Sequence, residues 1–278
     1  MTFKSRFTGF SILLSCLSIS PILATPGWNA LNMGLNGIVN AIVVNGSDVY
    51  VGGAFTDAGG LPDADYLARW DGSAWHAVAP GLSAQVRCIA VSGTNVYVGG
   101  NFVDAGGNTS ADRIARWDGS AWQALGAGLA GAVRSIVVSG SDVYAGGDFT
   151  NAGGIGAADY IARWNGSSWN ALGSGLANSV YNLALKGPDL YAAGFFVNAG
   201  GNGTADYIAR WDGSNWNALG TVSLNANVQA LTVAGNNVYA GGAFTDAGGN
   251  ANADRVARWD GTNWNALGTG ISNMTSTV

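Results

Sequence analysis

The sequence predicts an all-β fold, a β-propeller of four-stranded blades, and three observations carry that prediction. Trp70, Trp117, Trp164, Trp211 and Trp259 follow one another at 47, 47, 47 and 48 residues, and Trp28 lies 47 before Trp75. Each period holds four short runs rich in β-branched and aromatic residues, separated by Gly, Asn and Asp turn signals. Helical periodicity appears nowhere. A small four-stranded unit cannot bury its own faces, so it must stack on its neighbours, and recurring blades of this length do that in a propeller.

The first segment differs from everything after it. Lys4 and Arg6 precede an apolar run from about Phe7 to Leu23, with Ala24 before Thr25. That layout predicts a signal peptide over 1–24 and a secreted chain, extracellular or at the cell surface, with the periplasm as the other destination. A second reading takes "LLSC", ending at Cys16, as a lipoprotein cleavage site. The apolar run is short for a membrane span and no later segment approaches that length, so no span is expected.

Residues 25–278 read as a single propeller domain, with repeats at approximately 38–84, 85–131, 132–178, 179–226 and 227–273. In the first unit "VNAIVV" is one strand, "NGSD" its turn and "VYVGGAF" a second strand ending in paired glycines. The Gly-rich loop "TDAGGLPDA" leads to a third strand, "DYLARW", and the turn "DGS" reverses the chain into a fourth, "AWHAV". A fourth-strand fragment, "WNALNMGL", precedes the array, and Val278 aligns with Ile42 inside a new first strand. Two arrangements fit: a five-bladed ring with frayed ends, or part of a longer propeller.

Diglycine after "VY", then "ARWDG", then a Trp five residues beyond the first, resembles a kelch-type blade. "GGAFTDAGG…LARWDGS" is similar to bacterial delta-60-type propeller repeats and to fungal cortical polarity-marker propellers. The resemblance covers nearly all of residues 28–278 and implies the fold; these families share an architecture that hosts many roles.

The recurring residues read first as structure. Trp70 and Trp75, with Trp117 and Trp122, Trp164 and Trp169, Trp211 and Trp216, and Trp259 and Trp264, suit the wedge between blades. Each buries ~150–250 Å², which at about 25 cal/mol/Å² is on the order of 4–6 kcal/mol before entropy. Sugar-stacking platforms are the alternative reading of the same rings. Asp65 and Arg69 lie four apart on a strand and so point to the same face, as do Asp112 and Arg116, Asp159 and Arg163, Asp206 and Arg210, and Asp254 and Arg258. A guanidinium stitching a carboxylate to neighbouring strands is the expected role, with anion capture as the alternative. Asp57, Asp104, Asn151, Asn198 and Asp246 open the Gly-rich loops and are expected to form Asx turns rather than calcium sites, because the calcium-loop spacing is absent.

Composition narrows the chemistry. Past the predicted leader, ten Arg and Lys stand against 17 Asp, with no Glu, one His and one Cys. No Lys/Arg run exists to track phosphates, so nucleic acid is not an expected partner. A disulfide framework needs more cysteines, and zinc or copper sites need several His or Cys, so no cofactor is expected. His76 occupies a position filled by Gln123, Asn170, Asn217 and Asn265 in the later units, which reads as a polar strand face rather than a catalytic base. "WDGSAW" is one residue short of a sialidase Asp-box, and those enzymes also use a Glu. The chain is therefore expected not to be an enzyme, with an Asp-based carbohydrate-active enzyme as the remaining catalytic reading.

Function is sought where the copies differ. The loop between second and third strands varies as "LPD", "NTS", "IGA", "NGT" and "NAN" (61–63, 108–110, 155–157, 202–204, 250–252). Near the start of the first strand the residue varies as Asn40, Arg87, Arg134, Tyr181 and Gln229, and propeller topology puts that strand along the channel. These five form the expected binding ring. The leading expectation is a monomeric, non-catalytic recognition module for a protein or surface glycan, with a lectin of one site per blade as the alternative.

Overall fold

The computed structural model describes residues 30–78 and 80–271. The predicted leader with Cys16, Trp28 and the stretch around Val278 lie outside them. Blade one comprises β1 (Val39–Asn45), β2 (Asp48–Gly53), β3 (Leu67–Trp70) and β4 (Trp75–Ala77). Blade two follows with β5 (Val86–Ser92), β6 (Asn95–Gly100), β7 (Ile114–Trp117) and β8 (Trp122–Ala124). Blade three holds β9 (Val133–Ser139), β10 (Asp142–Gly147), β11 (Ile161–Trp164) and β12 (Trp169–Asn170). Blade four has β13 (Val180–Lys186), β14 (Asp189–Gly194), β15 (Ile208–Trp211) and β16 (Trp216–Asn217). Blade five ends the array with β17 (Val228–Ala234), β18 (Asn237–Gly242), β19 (Val256–Trp259) and β20 (Trp264–Ala266). All five sheets are antiparallel and keep sequence order, the all-β blade architecture the repeat predicts. Among the described residues no helix is long and apolar enough to cross a membrane.

Local chemistry sets each reversal. Asn45 pairs with Asp48 across a two-residue turn in which Gly46 takes φ 64°, the left-handed geometry that a tight hairpin requires. At the turn after β3, Asp71 Oδ1 accepts the backbone N–H groups of Ser73 and Ala74, both at 2.8 Å. Asp118, Asn165, Asp212 and Asp260 repeat that Asx turn in the other blades. The backbone hydrogen bond from Ala74 is the largest of the effects that hold the Asp71 carboxyl well below the usual carboxylate range.

The Gly-rich loop departs from the sequence reading. Asp57 adopts φ 52° and caps nothing with its side chain; its backbone N–H instead donates to Asp65 Oδ1 at 2.8 Å. Asp112, Asp159, Asp206 and Asp254 accept in the same way from Asp104, Asn151, Asn198 and Asp246. The expected Asp65–Arg69 stitch is thereby corrected: Asp65 ties the loop, and Arg69 Nη1 pairs with Asp48 at 2.9 Å. The reason is the left-handed residue between them. Tyr66 (φ 62°), Arg113, Tyr160, Tyr207 and Arg255 all have positive φ, so the third strand begins only after them and the two-residue alternation is lost.

The blades pack in succession, β1 on β5, β5 on β9, β9 on β13 and β13 on β17. Val86, Val133, Val180 and Val228 are fully buried against the preceding blade, where Gly52, Gly99, Gly146 and Ala193 leave room. The second Trp of each blade is the wedge, 3–6% exposed, and its indole N–H donates to the preceding segment's backbone. Trp169 binds the Leu125 carbonyl at 2.9 Å and Trp216 the Leu172 carbonyl at 3.0 Å. Trp75 reaches Leu31, from the fragment before blade one, at 3.0 Å. Its partner Trp70 tilts against it at 5.4 Å, an arrangement repeated in every blade. The second Trp rings are too buried to serve as sugar platforms.

Between blades five and one there is no such interface among the described residues. Val39 and Ile42 are 39% and 66% exposed, whereas their counterparts Val133 and Ile136 are 0% and 6%. On blade five, Leu267 is 40% exposed where Leu125 and Leu172 are 2%, and a mostly apolar hollow opens over Leu231, Tyr239 and Gly241. A Cβ at Gly241 would meet nothing nearer than 3.8 Å, while one on Gly242 would lie 2.2 Å from the Asn227 carbonyl.

Two outcomes follow from this packing. Gly242→Ala is expected to lose ~1–3 kcal/mol through that collision, and Gly241→Ala to shift stability by less than about 0.5 kcal/mol; chemical denaturation of the two variants measures both. Cys88 is buried between blades two and three, and that burial pushes its thiol well above the ordinary range. It is expected to resist a thiol reagent in the folded protein and to react on unfolding, which an absorbance assay in buffer and denaturant reads directly.

Candidate binding site at the channel mouth

The five residues expected at the channel share a structural origin that the sequence does not announce. Each first strand slips register once: Val39 pairs with Gly53 and Ala41 with Gly52, leaving Asn40 without a cross-strand partner. The same bulge leaves Arg87, Arg134, Tyr181 and Gln229 unpaired in their blades. A bulge bends the strand and re-aims one side chain.

The glycine that ends the second strand makes the bulge. A Cβ on Gly53 would sit 2.0 Å from the Ile38 carbonyl, and the corresponding approaches at Gly100, Gly147 and Gly194 are 2.3, 2.1 and 2.1 Å. That carbonyl accepts the N–H of the residue after the glycines, as in Ala54 to Ile38 at 2.7 Å and Asp148 to Ala132 at 2.8 Å. Only glycine admits a carbonyl at that distance.

Asn40, Arg87, Arg134, Tyr181 and Gln229 all line one void of about 450 Å³. Because β1 begins beside the end of β2, the variable loops after β2 open on the same rim. The ring is unequal in charge and polarity. Asn40 Nδ2 donates to the Val86 carbonyl at 2.8 Å, tying blade one to blade two. Arg87 Nε donates to Asn101 Oδ1 at 2.7 Å, a neutral partner. Arg134 holds Asp148 through Nε at 2.9 Å and Nη2 at 2.7 Å, and its guanidinium lies 4.9 Å from the centre of the Tyr181 ring. Tyr181 meets Phe195 edge-on at 5.6 Å, and Phe195 is 45% exposed.

Asn101, Asp148 and Phe195 form a second layer that the sequence reading missed. Its signal was present in "GGAF", "GGNF", "GGDF" and "AGFF", where one residue varies between constant neighbours. Arg113 and Arg255 were missed too; their Nη1 groups donate to the carbonyls of Asn101 and Ala243. Partial burial raises the Asp148 carboxyl, but hydrogen bonds from Arg134 and Ser179 and the charges of Arg134 and Arg87 outweigh it, and the net shift is downward. Asp148 is thus ionised at neutral pH and pairs with Arg134, whereas Arg87 makes no ion pair among the described residues.

The remaining sequence candidates lie elsewhere. His76 Nε2 binds Asp71 Oδ2 at 2.6 Å beside the turn after β3, the bond that Gln123, Asn217 and Asn265 make to Asp118, Asp212 and Asp260. Among the described residues no three His, Cys, Asp or Glu side chains converge as metal ligands.

The sequence matches no protein-family model and no curated protein. Solved structures do resemble it. A computationally designed protein, Ika8, aligns over 84% of this chain and 62% of its own with a TM-score of 0.52 at 16% identity. A chain of a nidogen–laminin complex aligns over 80% of this chain and 75% of its own, also at TM-score 0.52, with 13% identity. The present chain therefore spans less than two thirds of the designed protein's length. Together with the five four-stranded sheets, these likenesses show a propeller-like repeat fold.

The Asp148–Arg134 pair has a pH signature. A carboxyl with a lowered folded pKa stabilises above its unfolded value, near 3.9, and that contribution is lost as pH falls through the folded one. Wild type is expected to be more stable than Asp148→Asn at pH 7, with the gap narrowing below about pH 4; thermal unfolding across that range checks it.

Proposed function

We propose that this chain is a secreted, non-catalytic, kelch-like recognition module that binds its partner through the channel mouth and adjoining loops. One observation carries the reading. The second-strand Tyr, the Phe that follows it, the third-strand Arg and both Trp recur in all five units, while the bulged residue and the residue after the second glycine change chemical class from blade to blade around one void. A structural requirement acts on all blades alike, so residues that change class around a shared opening fit a requirement imposed from outside.

The ring suits a polypeptide surface. Arg87 offers a guanidinium with donors to spare, and Phe195 beside Tyr181 offers exposed apolar area, the pairing that anchors many protein interfaces. The acids fit a non-catalytic role. Asp71, Asp118, Asp212 and Asp260 are held ionised by turn hydrogen bonds, the wrong state for a general acid. A carbohydrate ligand is the second reading. It no longer has five equivalent stacking platforms, because the second Trp of every blade is buried; it has instead the half-buried Trp70, Trp117, Trp164 and Trp211.

The test is loss of partner at the mouth. Proteins cross-linked to the wild-type chain in its native medium are identified, and the binding of each is measured against the double variant Arg87→Ala, Arg134→Ala. A partner whose affinity falls at least about tenfold supports the mouth. Unchanged affinity for every cross-linked partner overturns it.

A further inference from the structure

The rim opposite the mouth carries one third-strand arginine per blade. In blades one, three and four, the third-strand Arg is neutralised by an Asp that opens the second strand: Arg69 by Asp48 at 2.9 Å, Arg163 by Asp142 at 3.7 Å and Arg210 by Asp189 at 3.3 Å. Blade two has Asn95 at that position, and Arg116 has no ion pair among the described residues. Blade five also has Asn, at 237, but no further blade packs over its Arg258 among the described residues. Arg116 is thus the one such Arg that is both without a carboxylate and roofed by a neighbouring blade.

The space around it is a cleft of about 310 Å³ between blades two and three. Arg116, Tyr97, Asn95 and Ser92 line it from one side and Trp164 and Ser141 from the other, with no acidic residue in the lining. The nearby acids are engaged elsewhere: Asp142 with Arg163, and Asp118 with Ser120, Ala121 and Gln123. The equivalent cleft between blades four and five is smaller, about 180 Å³, and holds Asp189. Lys186 at its edge reaches across to the Asn236 carbonyl at 2.7 Å. The third-strand arginine is therefore ion-paired in the blade four–five cleft and without a carboxylate in the blade two–three cleft.

We infer that the blade two–three cleft binds a carboxylated sugar. The planar guanidinium of Arg116 matches a carboxylate with two parallel hydrogen bonds. The half-buried Trp164 indole offers a flat apolar wall to the ring's C–H face. Hydroxyls of Ser92 and Ser141 and the Asn95 amide supply donors and acceptors on opposite sides of the cleft for ring hydroxyls. A bare inorganic anion meets the guanidinium and the polar donors but has no ring to set against the Trp164 wall, and a neutral sugar leaves the guanidinium unpaired. This site is remote from the channel mouth, so its failure and that of the mouth are separable.

Isothermal titration of the full chain with sodium glucuronate, glucose and sodium sulfate tests the assignment. Glucuronate is expected to bind at one site, with glucose and sulfate each at least about tenfold weaker. Asn95→Asp installs the acid that blades one, three and four carry, so it supplies an internal counter-ion without a new shape. Asn95→Asp and Arg116→Gln are each expected to weaken glucuronate at least about tenfold, with the melting temperature of Asn95→Asp unchanged, whereas Arg87→Ala with Arg134→Ala leaves it bound. Absence of binding at millimolar glucuronate, equal binding by Asn95→Asp, or sulfate binding as tightly as glucuronate would each overturn the inference.

Discussion

Everything at the rim depends on a carbonyl that passes within 2.0–2.3 Å of where a Cβ would be on the second glycine of each pair. Because that glycine has no side chain, the backbone before the first strand can cross over it and accept the N–H of the residue that follows. The crossing forces one extra residue into the first strand, and the extra residue has nowhere to point but the channel. A requirement of backbone geometry thus creates a position whose side chain is free of packing duties. Such a position can change from Asn to Arg to Tyr without disturbing the blade, and here it does.

The first glycine of the pair does a different job. It admits the fully buried valine of the next blade, and blade four shows the tolerance by using Ala193 there. Tryptophan completes the joint from the other edge, coupling burial to an indole hydrogen bond on the preceding backbone. The two joints differ in character: the valine contact is non-directional, whereas the indole bond fixes the height at which one blade sits on the next. Repeating both at intervals of 47 or 48 residues propagates one geometry through the array, in the manner of a one-dimensional stack. It also explains why blades one and five each show an apolar face that the internal blades hide.

Much of this was legible in the sequence because repetition separates constraint from variation. The period gave the blade, the Asn-Gly and Asp-Gly pairs gave the hairpins, and the variable position near the start of each first strand marked the mouth residues. The Asp65–Arg69 pairing was not legible, for a physical reason. A same-face argument assumes unbroken extended backbone, and Tyr66 interrupts it with a positive φ that a tyrosine or arginine rarely adopts. Nothing in the letters marks that residue as left-handed. The bulge was equally hidden, although its cause, the paired glycine, was in plain view.

The charge pattern on the opposite rim carries the same logic one step further. An Arg that meets Asp in three blades has its structural partner there, and the fold tolerates Asn in the other two. Since both states are compatible with the blade, stability does not select between them strongly; these pairs are about one-third exposed, where an ion pair contributes little. What changes between Asp48 and Asn95 is therefore chiefly the electrostatics of the cleft. Removing one carboxylate leaves a guanidinium in a concave, partly desolvated space, where its field is screened less than on an open surface. In a chain of net charge −5, a cation so placed stands out from its surroundings. The acid missing from blade two and the acid present at Asp148 are thus opposite settings of one device, a guanidinium whose charge is either spent inside the protein or left for a ligand.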